Sequence, residues 1–417
     1  MLKIIASSDK ASVDRLFRRR KQNLARAETV VGPILEAVRK RGDRALVEYA
    51  RKLDRLEGNS VRVSSDAVTA ACEGLSPEFL RALKTASARI RKYAQLQMPR
   101  SWTKPVGAGI TLGQVVRPLG SVAAYIPGGR YPLPSTVMMT VIPAQVAGVP
   151  RISVASPGPS AETLGTAGFL GVENVFHMGG AQAIAAFAFG TATVPKADRI
   201  VGPGNIYVAA AKRLLTGEVG IDFVAGPTEI LLISGDGDPR HLAADMLAQA
   251  EHDTDAAAIL LTTSKRVATR VAAEIEKQLA ALSTAATAKT AISRNSAVIV
   301  TRSLDEAVEI SNRFAPEHLS IPDESLLPII QNAGSVFIGP SSPEAAGDYA
   351  AGPNHVLPTN GAAALRGGLS VLDYVKIISV QRIEPEGLRS LAPSVVTLAR
   401  AEGLEAHARS IEVRTNG

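Results

Sequence analysis

From residue 114 onward, short runs rich in valine and isoleucine alternate with alanine-rich stretches of helical length. A repeated strand and helix is typical of an α/β fold with a largely parallel sheet, because each helix returns the chain to the start of the next strand. Two of the predicted helices are Gln182–Phe189 and Ile206–Leu215. The predicted strands are Gln114–Val116, Ser121–Ile126, Ile152–Ala155, Asn174–His177, Arg199–Val201, Glu229–Ile233, Ala257–Thr262, Ala297–Thr301 and Ser335–Ile338.

The two ends of the chain show a different pattern. Residues 1–105 carry apolar side chains at helical spacing, for example at Ile34, Val38 and Leu46, and residues 371–417 also predict helix. No internal repeat or low-complexity tract is present. Neither a G-x-G-x-x-G fingerprint nor a G-x-x-x-x-G-K-[ST] phosphate loop occurs, so a bound nucleotide would have to be held in another way.

Composition narrows the class of protein. An apolar content of 46% and a charged content of 20% are ordinary for a globular domain. The single cysteine, Cys72, has no partner for an intrachain disulfide, which fits a reducing compartment. The first residues contain no apolar segment of signal-peptide length, and no apolar run reaches the ~18 residues that a membrane span needs. We therefore expect a cytoplasmic protein with no membrane partner.

Positive charge is concentrated in the first quarter of the chain. Residues 1–105 contain 23 lysines and arginines against 11 acidic residues. One interpretation is an RNA-binding protein that uses this segment. The other is a solvated helix surface, which we favour because no aromatic residue interrupts the basic runs Arg18–Lys21 and Arg39–Arg41. We expect no nucleic-acid partner.

Glycine turns follow three of the predicted strands, at Tyr125–Arg130, Met178–Gln182 and Gly202–Asn205. Glycine lets the backbone approach a ligand closely, and the carboxyl ends of parallel strands form the usual ligand crevice. The freed amides of a following helix can hold an anion. Each segment alone could be an ordinary turn, but three with a polar residue near the helix start indicate one cleft. A fourth turn contains Thr228, whose hydroxyl could reach a substrate or simply close the turn.

Histidines stand close to carboxylates or amides at four places. Gln249 and His252 are three residues apart on a predicted helix and so share a face. The other pairs are Glu317 with His318, Asp348 with His355, and Glu402 with His407. Imidazole, carboxylate and amide oxygen are ligands of zinc and similar metals. A single buried histidine would more often be structural, but the set favours a metal site.

Two of these pairs indicate further roles. A histidine such as His318 is suited to remove a proton from an alcohol, and the neighbouring Glu317 is suited to activate water. The alternative is that Glu317 and His318 form a structural ion pair at the edge of a strand. Glu402 and His407 lie in the C-terminal tail, which would complete a site most easily in another subunit and therefore indicates a dimer.

Longer motifs resemble one known family. The chain resembles histidinol dehydrogenases from about residue 30 to its C-terminus, through the segments Gly179–Ala185, Gln249–His252, Pro316–Leu319, Gly347–Tyr349 and Asn354–Pro358. The resemblance implies an oxidoreductase that depends on zinc and NAD. Such an enzyme oxidises L-histidinol through L-histidinal to L-histidine with two NAD+, in the last step of histidine biosynthesis.

The resemblance also implies roles for single residues. His318 would be the general base and Glu317 would activate water. One zinc ion per subunit would be held by Gln249, His252, Asp348 and His407. NAD would contact Tyr125, Gln182 and Asn205. L-histidinol would contact Thr228, Gln249, His252, His318, Asp348, His355, Glu402 and His407.

The fold implied by the resemblance is α/β, with two incomplete Rossmann-like domains, one of them discontinuous, and small helical terminal parts. Residues 1–20 would form the N-terminal helical segment. Residues 21–124 and 229–370 would form the discontinuous domain with the zinc and catalytic residues, and residues 125–228 the inserted NAD-binding domain. Residues 371–417 would be a helical tail that contributes to the partner subunit's site in a homodimer with shared active sites.

Two small departures from the family pattern leave alternatives open. Thr228 stands where the family more often has serine, and Ile377 stands where a basic residue is more frequent. One alternative is therefore a zinc- and NAD-dependent dehydrogenase of another small polar alcohol, such as a sulfopropanediol. Glu402 favours histidinol, because a carboxylate attracts a cationic amine and repels a sulfonate. A hydrolytic zinc enzyme that uses Glu317 as its base is a more distant alternative.

Overall fold

The computed structural model describes residues 2–19, 24–128 and 131–415. Arg20 and Lys21 of the first basic run, and Gly129 and Arg130 of the first glycine turn, lie outside the described residues. The chain divides into two compact units. The first comprises residues 1–97 and 120–374, and the second comprises residues 98–119 and 375–417.

The described residues form strands and helices in the following order. The strands are β1 (Lys3–Ala6), β2 (Trp102–Gly107), β3 (Ile110–Pro118), β4 (Val122–Tyr125), β5 (Ile152–Ser156), β6 (Asn174–His177), β7 (Arg199–Val201), β8 (Gly220–Ile221), β9 (Glu229–Ile233), β10 (Ala257–Thr262), β11 (Ala297–Val300), β12 (His318–Ile321), β13 (Ser335–Ile338) and β14 (Val375–Ile383). The helices are α1 (Lys10–Arg19), α2 (Leu24–Arg41), α3 (Asp43–Asp54), α4 (Ser65–Glu73), α5 (Pro77–Gln97), α6 (Pro134–Ala147), α7 (Ala161–Phe169), α8 (Gly180–Phe189), α9 (Ile206–Leu214), α10 (Pro239–Ala250), α11 (Lys265–Leu279), α12 (Ala285–Asn295), α13 (Leu304–Phe314), α14 (Glu344–Tyr349), α15 (Pro385–Ala401) and α16 (Glu405–Thr415). Short 3₁₀ turns lie at Glu324–Ile329, Ala362–Ala364 and Val371–Tyr374.

Serine side chains start several of these helices. Ser64, Ser160 and Ser264 each accept a hydrogen bond from an amide in the first turn of α4, α7 and α11. Ser303 accepts from the Glu306 amide at 3.1 Å in the same way at α13. The first amides of a helix have no partner within it, so these oxygens fix where each helix begins.

A six-stranded parallel sheet in the first unit has the order β1-β11-β10-β9-β12-β13. Every residue of β9 and β10 is buried, as expected for strands covered on both faces. Alternate residues of β9 feed separate cores: Ile230 packs with α10, α11 and α12, whereas Leu231 packs with α1 and α13. The sheet is therefore fixed by hydrophobic burial on each side.

A five-stranded parallel sheet, also in the first unit, has the order β6-β5-β4-β7-β8. On one face α8 lies between α2, α3 and α9, and all of its residues from Ala181 to Ala188 are buried. Small alanine side chains let α8 approach its neighbours closely. Helices α4, α5, α6 and α7 pack together as another layer, with α6 against β4 and β5. The predicted α/β fold is thus confirmed.

The second unit contains an antiparallel sheet in the order β14-β3-β2, followed by α15 and α16, which pack against each other. The prediction of helix throughout residues 371–417 is wrong for β14, whose β-branched residues at 375, 377, 378 and 380 favour a strand. Ile377 and Ile378 point to opposite faces of this strand, and both are about half exposed (51% and 49%).

No helix in the described ranges is long and apolar enough to cross a membrane.

Candidate functional site

Two neighbouring cavities in the first unit adjoin at Pro127. The first, which we call the acidic cavity, measures about 240 Å³ and lies where the amino edge of the six-stranded sheet meets the carboxyl edge of the five-stranded sheet. The second, the glycine-turn cavity, measures about 600 Å³ and is lined in part by the turns after β4, β6 and β7. The acidic cavity brings together the predicted residues Thr228, His252, Glu317, His318, Asp348 and His355.

Glu317 lies just before β12 and is buried. Its Oε2 accepts hydrogen bonds from the Thr228 hydroxyl at 2.6 Å and from the Glu229 amide at 2.8 Å. Burial raises the pKa of Glu317, against the opposing influence of His318 and of these two donors. A carboxylate with a raised pKa is a stronger base than one in water, so Glu317 is suited to take a proton from water.

His318 occupies the first position of β12 and is almost fully buried. Its Nδ1 lies 3.2 Å from the carbonyl oxygen of Glu229, which can only accept, so Nδ1 carries the hydrogen and Nε2 is the basic nitrogen. Nε2 lies 3.5 Å from Asp348 and makes no well-formed hydrogen bond within the described residues. Burial alone lowers the pKa of His318, but Glu344, Glu317 and Asp348 outweigh it and raise the pKa well above its ordinary value.

Glu344 is a buried site residue that was not predicted from the sequence. Glu344 and Asp348 are four residues apart on α14, so both carboxylates lie on one face. One ligand atom from each of these residues and from His318 lies within 4.8 Å of the other two. Burial raises the pKa of Glu344 to about 8, with Asp348 and Glu317 adding to the rise. The four-residue spacing of two acidic residues was the available signal.

Gln249 lies in the last turn of α10 and is fully buried. Its side-chain amide lies between the Thr228 hydroxyl and the Glu344 carboxyl group. With the amide nitrogen directed at Glu344, it donates to that carboxylate, and the amide oxygen faces two donors, the Thr228 hydroxyl and the Glu229 amide. Gln249 thus connects Thr228 to Glu344.

His252 and His355 lie on two sides of Asp348. Desolvation lowers the pKa of His252 despite the attraction of Asp348, so its imidazole is neutral, the form that binds metals. The Nδ1 of His355 lies 2.7 Å from the Asp348 carbonyl oxygen, and its Nε2 lies 3.2 Å from the Thr136 hydroxyl. His355 therefore fixes the backbone that carries Asp348, and its contact with a substrate remains a prediction.

Tyr125, Gln182 and Asn205, the predicted nucleotide contacts, all line the glycine-turn cavity. The Tyr125 hydroxyl oxygen accepts a hydrogen bond from the Gly180 amide at 3.1 Å, and burial raises the pKa of Tyr125 to about 12. Gln182 is buried, and its Oε1 has no partner among the described residues. Leaving a buried oxygen unpartnered costs about 1–3 kcal/mol, which favours a ligand that donates to it.

The turn after β7 is held by a buried ion pair. Lys212 donates to the Gly202 carbonyl at 2.5 Å and to Asp222 at 2.7 Å, while the Gly202 amide donates to the other Asp222 oxygen at 2.7 Å. Gly202 has a φ of +110°, and a Cβ there would lie 2.1 Å from the Tyr125 carbonyl oxygen, so the position requires glycine. Asn205 then caps α9 through its side-chain oxygen, which leaves its NH₂ group to face a ligand.

Glu402 and His407 belong to the second unit. Glu402 ends α15 and His407 lies in α16, and both are exposed. Their predicted roles, as a substrate contact and a zinc ligand, stay predictions.

The acidic cavity is built to receive a cation. Its lining includes two carboxylates and three histidines, with Glu344 buried beside them, and none of its described lining residues is a lysine or arginine. Imidazole, carboxylate and amide groups together suit zinc. The imidazole of His318 and the carboxylate of Glu317 lie together in this cavity, and side chains of these two types are suited to accept protons from an alcohol and from water.

Comparisons with known proteins agree on one family. The family model described as histidinol dehydrogenase matches residues 17–415. The histidinol dehydrogenase of Geobacter metallireducens is 49% identical over 401 residues, covering 94% of this chain and 92% of the relative. That of Methanothermobacter thermautotrophicus is 43% identical and covers 99% of both chains. The crystal structure of histidinol dehydrogenase from Elizabethkingia anophelis matches with a TM-score of 0.95 at 36% identity, covering 100% of this chain and 98% of that one.

Proposed function

This chain belongs to the histidinol dehydrogenase family of NAD-dependent oxidoreductases, and we propose that it oxidises L-histidinol through L-histidinal to L-histidine with two molecules of NAD+. The family assignment confirms the resemblance drawn from the sequence motifs. The reaction would be the last step of histidine biosynthesis, in the cytoplasm. One observation carries the proposal: His318 and Glu317 line the same cavity. The Nε2 of His318 would take a proton from a hydroxyl group of the substrate, and the Glu317 carboxylate would take one from water.

Zinc fits the acidic cavity. Support comes from the neutral imidazole of His252 and from the convergence of carboxylates without a lysine or arginine among the described lining residues. The ion would be held by Gln249, His252, Asp348 and the His407 of a second copy of the chain. When bound, zinc would anchor the imidazole and amino group of the substrate and, by its charge, lower the pKa of His318 toward the range of a working base.

NAD+ fits the glycine-turn cavity. The unpartnered Oε1 of Gln182 offers an acceptor to a coenzyme hydroxyl or amide, and Tyr125 and Asn205 lie on the same wall. Pro127 lines both this cavity and the one that holds His318, so the two cavities are neighbours. When bound, NAD+ would supply the hydride acceptor for both oxidations.

His318 and Glu317 would divide the proton transfers. In the first oxidation, His318 Nε2 accepts the hydroxyl proton as the alcohol carbon gives up a hydride. Glu317 then takes a proton from the water that adds to the aldehyde carbon, while protonated His318 returns its proton to the aldehyde oxygen, which forms the hydrate and restores the base. In the second oxidation His318 accepts a hydroxyl proton of that hydrate, and loss of a second hydride leaves the carboxylic acid. Thr228 donates to Glu317 and thereby aims the carboxylate that activates water.

A homodimer would complete each site. The second unit leaves Ile377 and Ile378 about half exposed on opposite faces of β14, and Leu398 and Val413 are 64% and 73% exposed on α15 and α16. Exposed apolar side chains of this kind favour a protein partner, and a second copy of the chain is the simplest one. Through that contact the tail would bring His407 to zinc and Glu402 to the ammonium group of the substrate.

The yield of NADH per molecule of L-histidinol tests the proposed function. Two equivalents of NADH, with histidine as the product and loss of activity after chelation, are expected from the zinc-loaded protein. A yield of one equivalent with histidinal as the product would contradict the four-electron reaction. Absence of NADH with L-histidinol, but not with a sulfopropanediol, would identify the alternative alcohol dehydrogenase.

A further inference from the structure

Asp54, the last residue of α3, reaches the wall of the glycine-turn cavity and is only 6% exposed. Its Oδ2 accepts hydrogen bonds from the Gly179 amide at 2.8 Å and from Gln182 Nε2 at 3.0 Å. Its Oδ1 accepts none from the described residues, and no lysine or arginine among them forms an ion pair with it. A buried carboxylate on the wall of the cavity therefore has one oxygen that accepts no hydrogen bond from the described residues.

The position of Asp54 changes what the start of α8 can bind. In nucleotide-binding folds, the amides at a helix start after a glycine turn usually hold a phosphate. Here the Gly179 amide is already used by the Asp54 carboxylate. A phosphate at that point would meet a negative charge instead of a free amide. The remaining oxygen of Asp54 suits a neutral donor such as a sugar hydroxyl, because a carboxylate accepts strong hydrogen bonds from hydroxyl groups.

The order of the two cavities indicates which half of the coenzyme meets Asp54. The nicotinamide ring has to reach the substrate carbon beside His318, in the acidic cavity. Asp54 lines only the neighbouring glycine-turn cavity, beyond Pro127. The adenosine half of the coenzyme is the part left to occupy that cavity, and it carries the ribose on which NAD and NADP differ.

We infer that Asp54 determines coenzyme choice: its Oδ1 accepts a hydrogen bond from a hydroxyl of the adenosine ribose, and its charge excludes a coenzyme with a phosphate at that hydroxyl. The inference rests on the proposed use of NAD in the glycine-turn cavity. It assigns the N-terminal helical region, through α3, a direct part in coenzyme binding.

Equilibrium binding of NAD+ and NADP+ to the purified full-length protein, measured by calorimetry without substrate, tests this inference. The wild-type protein should bind NAD+ at least about tenfold more tightly than NADP+, as expected for one charged hydrogen bond. Asp54→Asn keeps an oxygen for Gly179 and Gln182 but removes the charge and turns a donor toward the ribose. The ratio of the two dissociation constants should then fall about tenfold or more.

Two further variants separate this role from a structural one. Val30→Ala alters the apolar lining of the same cavity and should weaken both coenzymes by the same factor, leaving the ratio unchanged. Asp54→Glu keeps the charge and should still exclude NADP+, and it provides the same comparison if Asp54→Asn does not fold. If Asp54→Asn weakened both coenzymes equally, or Asp54→Glu admitted NADP+ freely, the inference would be overturned. If the wild-type protein bound neither coenzyme, the proposed function itself would fail.

Discussion

His318 shares a buried cluster with Glu317, Glu344 and Asp348, at ion-pair distances of 3.5 to 3.6 Å. At the scale of single residues, the three carboxylates outweigh burial and raise the pKa of His318, whereas burial itself, with Asp348 and Glu317 adding to it, raises the pKa of Glu344. Three carboxylates around one imidazole would repel each other strongly if all were ionised. A bound cation would relieve that repulsion, so we expect metal binding to be coupled to the protonation of His318.

Replacing His318 by asparagine should slow turnover by roughly 10²–10⁴-fold, because the general base is lost while the rest of the cavity keeps its shape. Zinc content should stay near one ion per subunit, measured by atomic absorption. His241→Asn serves as the control, since His241 is exposed and lies outside the acidic cavity. Loss of zinc from the His318 variant would instead make His318 a metal ligand.

Glu317 and His318 stand in a recognisable motif, and the structure places both in the acidic cavity, while their catalytic roles stay predictions. The positions of Glu344 and Asp54 beside the two cavities were not predicted, for a physical reason. Each is a carboxylate that is buried by residues far away in the chain. Asp54 meets Gly179 across 125 positions, and nothing in its sequence neighbours signals that contact.

At the scale of elements, α10 joins two different environments. Its last turn places Gln249 beside the acidic cavity, whereas Asp245, one turn earlier, is half-buried. Burial raises the pKa of Asp245 from 3.8 to about 6. The helix therefore carries an ionisable group whose charge works against the folded state at neutral pH.

Asp245→Asn should raise the melting temperature at about pH 8 and bring progressively less benefit toward about pH 4. The folded state binds the Asp245 proton more tightly than the unfolded state, so the stability of the wild-type protein falls as pH rises from 3.8 through 6. The variant cannot ionise and escapes that loss. Thermal unfolding of both proteins across this range checks the sign, and a benefit that grew toward low pH would contradict it.

Lys212→Met should destabilise the protein by about 3–5 kcal/mol, because it leaves Asp222 buried without its partner. It should also weaken NAD+ binding, since the ion pair holds the Gly202 turn. Arg213→Gln is the matched control. Arg213 follows Lys212 in the chain and forms a more exposed ion pair with Glu28, so its loss should lower the free energy of unfolding by no more than about 1 kcal/mol. Equal losses in urea unfolding for the two variants would refute the role given to the buried pair.

The elements themselves were largely predictable. All nine predicted strands overlap observed strands, and most of these are buried parallel strands, which leave a continuous apolar run in the sequence. Five observed strands were not predicted: β1, β2, β8, β12 and β14. β14 was missed because it sits in an antiparallel sheet at an exposed edge, with polar residues such as Lys376 and Gln381 among its apolar ones. Its pairing with β3 is a contact between distant segments, which local sequence does not encode.

At the scale of the whole molecule, the predicted site residues belong to two different units of the chain. The acidic cavity and the glycine-turn cavity lie in the first unit, whereas Glu402 and His407 lie in the second. A site completed by the tail of another copy would make activity a property of the dimer. The predicted domain boundaries and the shared site remain predictions, because sequence patterns describe one chain and not its assembly.

Mixing two inactive variants tests the shared site. His318→Ala and His407→Ala should each be inactive, but in a mixed dimer one site would receive an intact His318 from one chain and an intact His407 from the other. Random mixing should restore roughly a quarter of the wild-type activity, because half of the dimers would be mixed and each would hold one good site. If no activity returned although mixed dimers formed, the tail would act within its own chain.

The six-stranded sheet places Glu317 and His318 at its amino edge, at the start of β12. Turns at its opposite edge, such as the one at Arg302 after β11, take no part in lining the acidic cavity. Open parallel sheets usually reserve that edge for ligands. In this protein the carboxyl edge of that sheet lies away from the acidic cavity. An epitope inserted at the Arg302 turn, or a tether to a solid support there, should therefore leave the residues of the cavity in place.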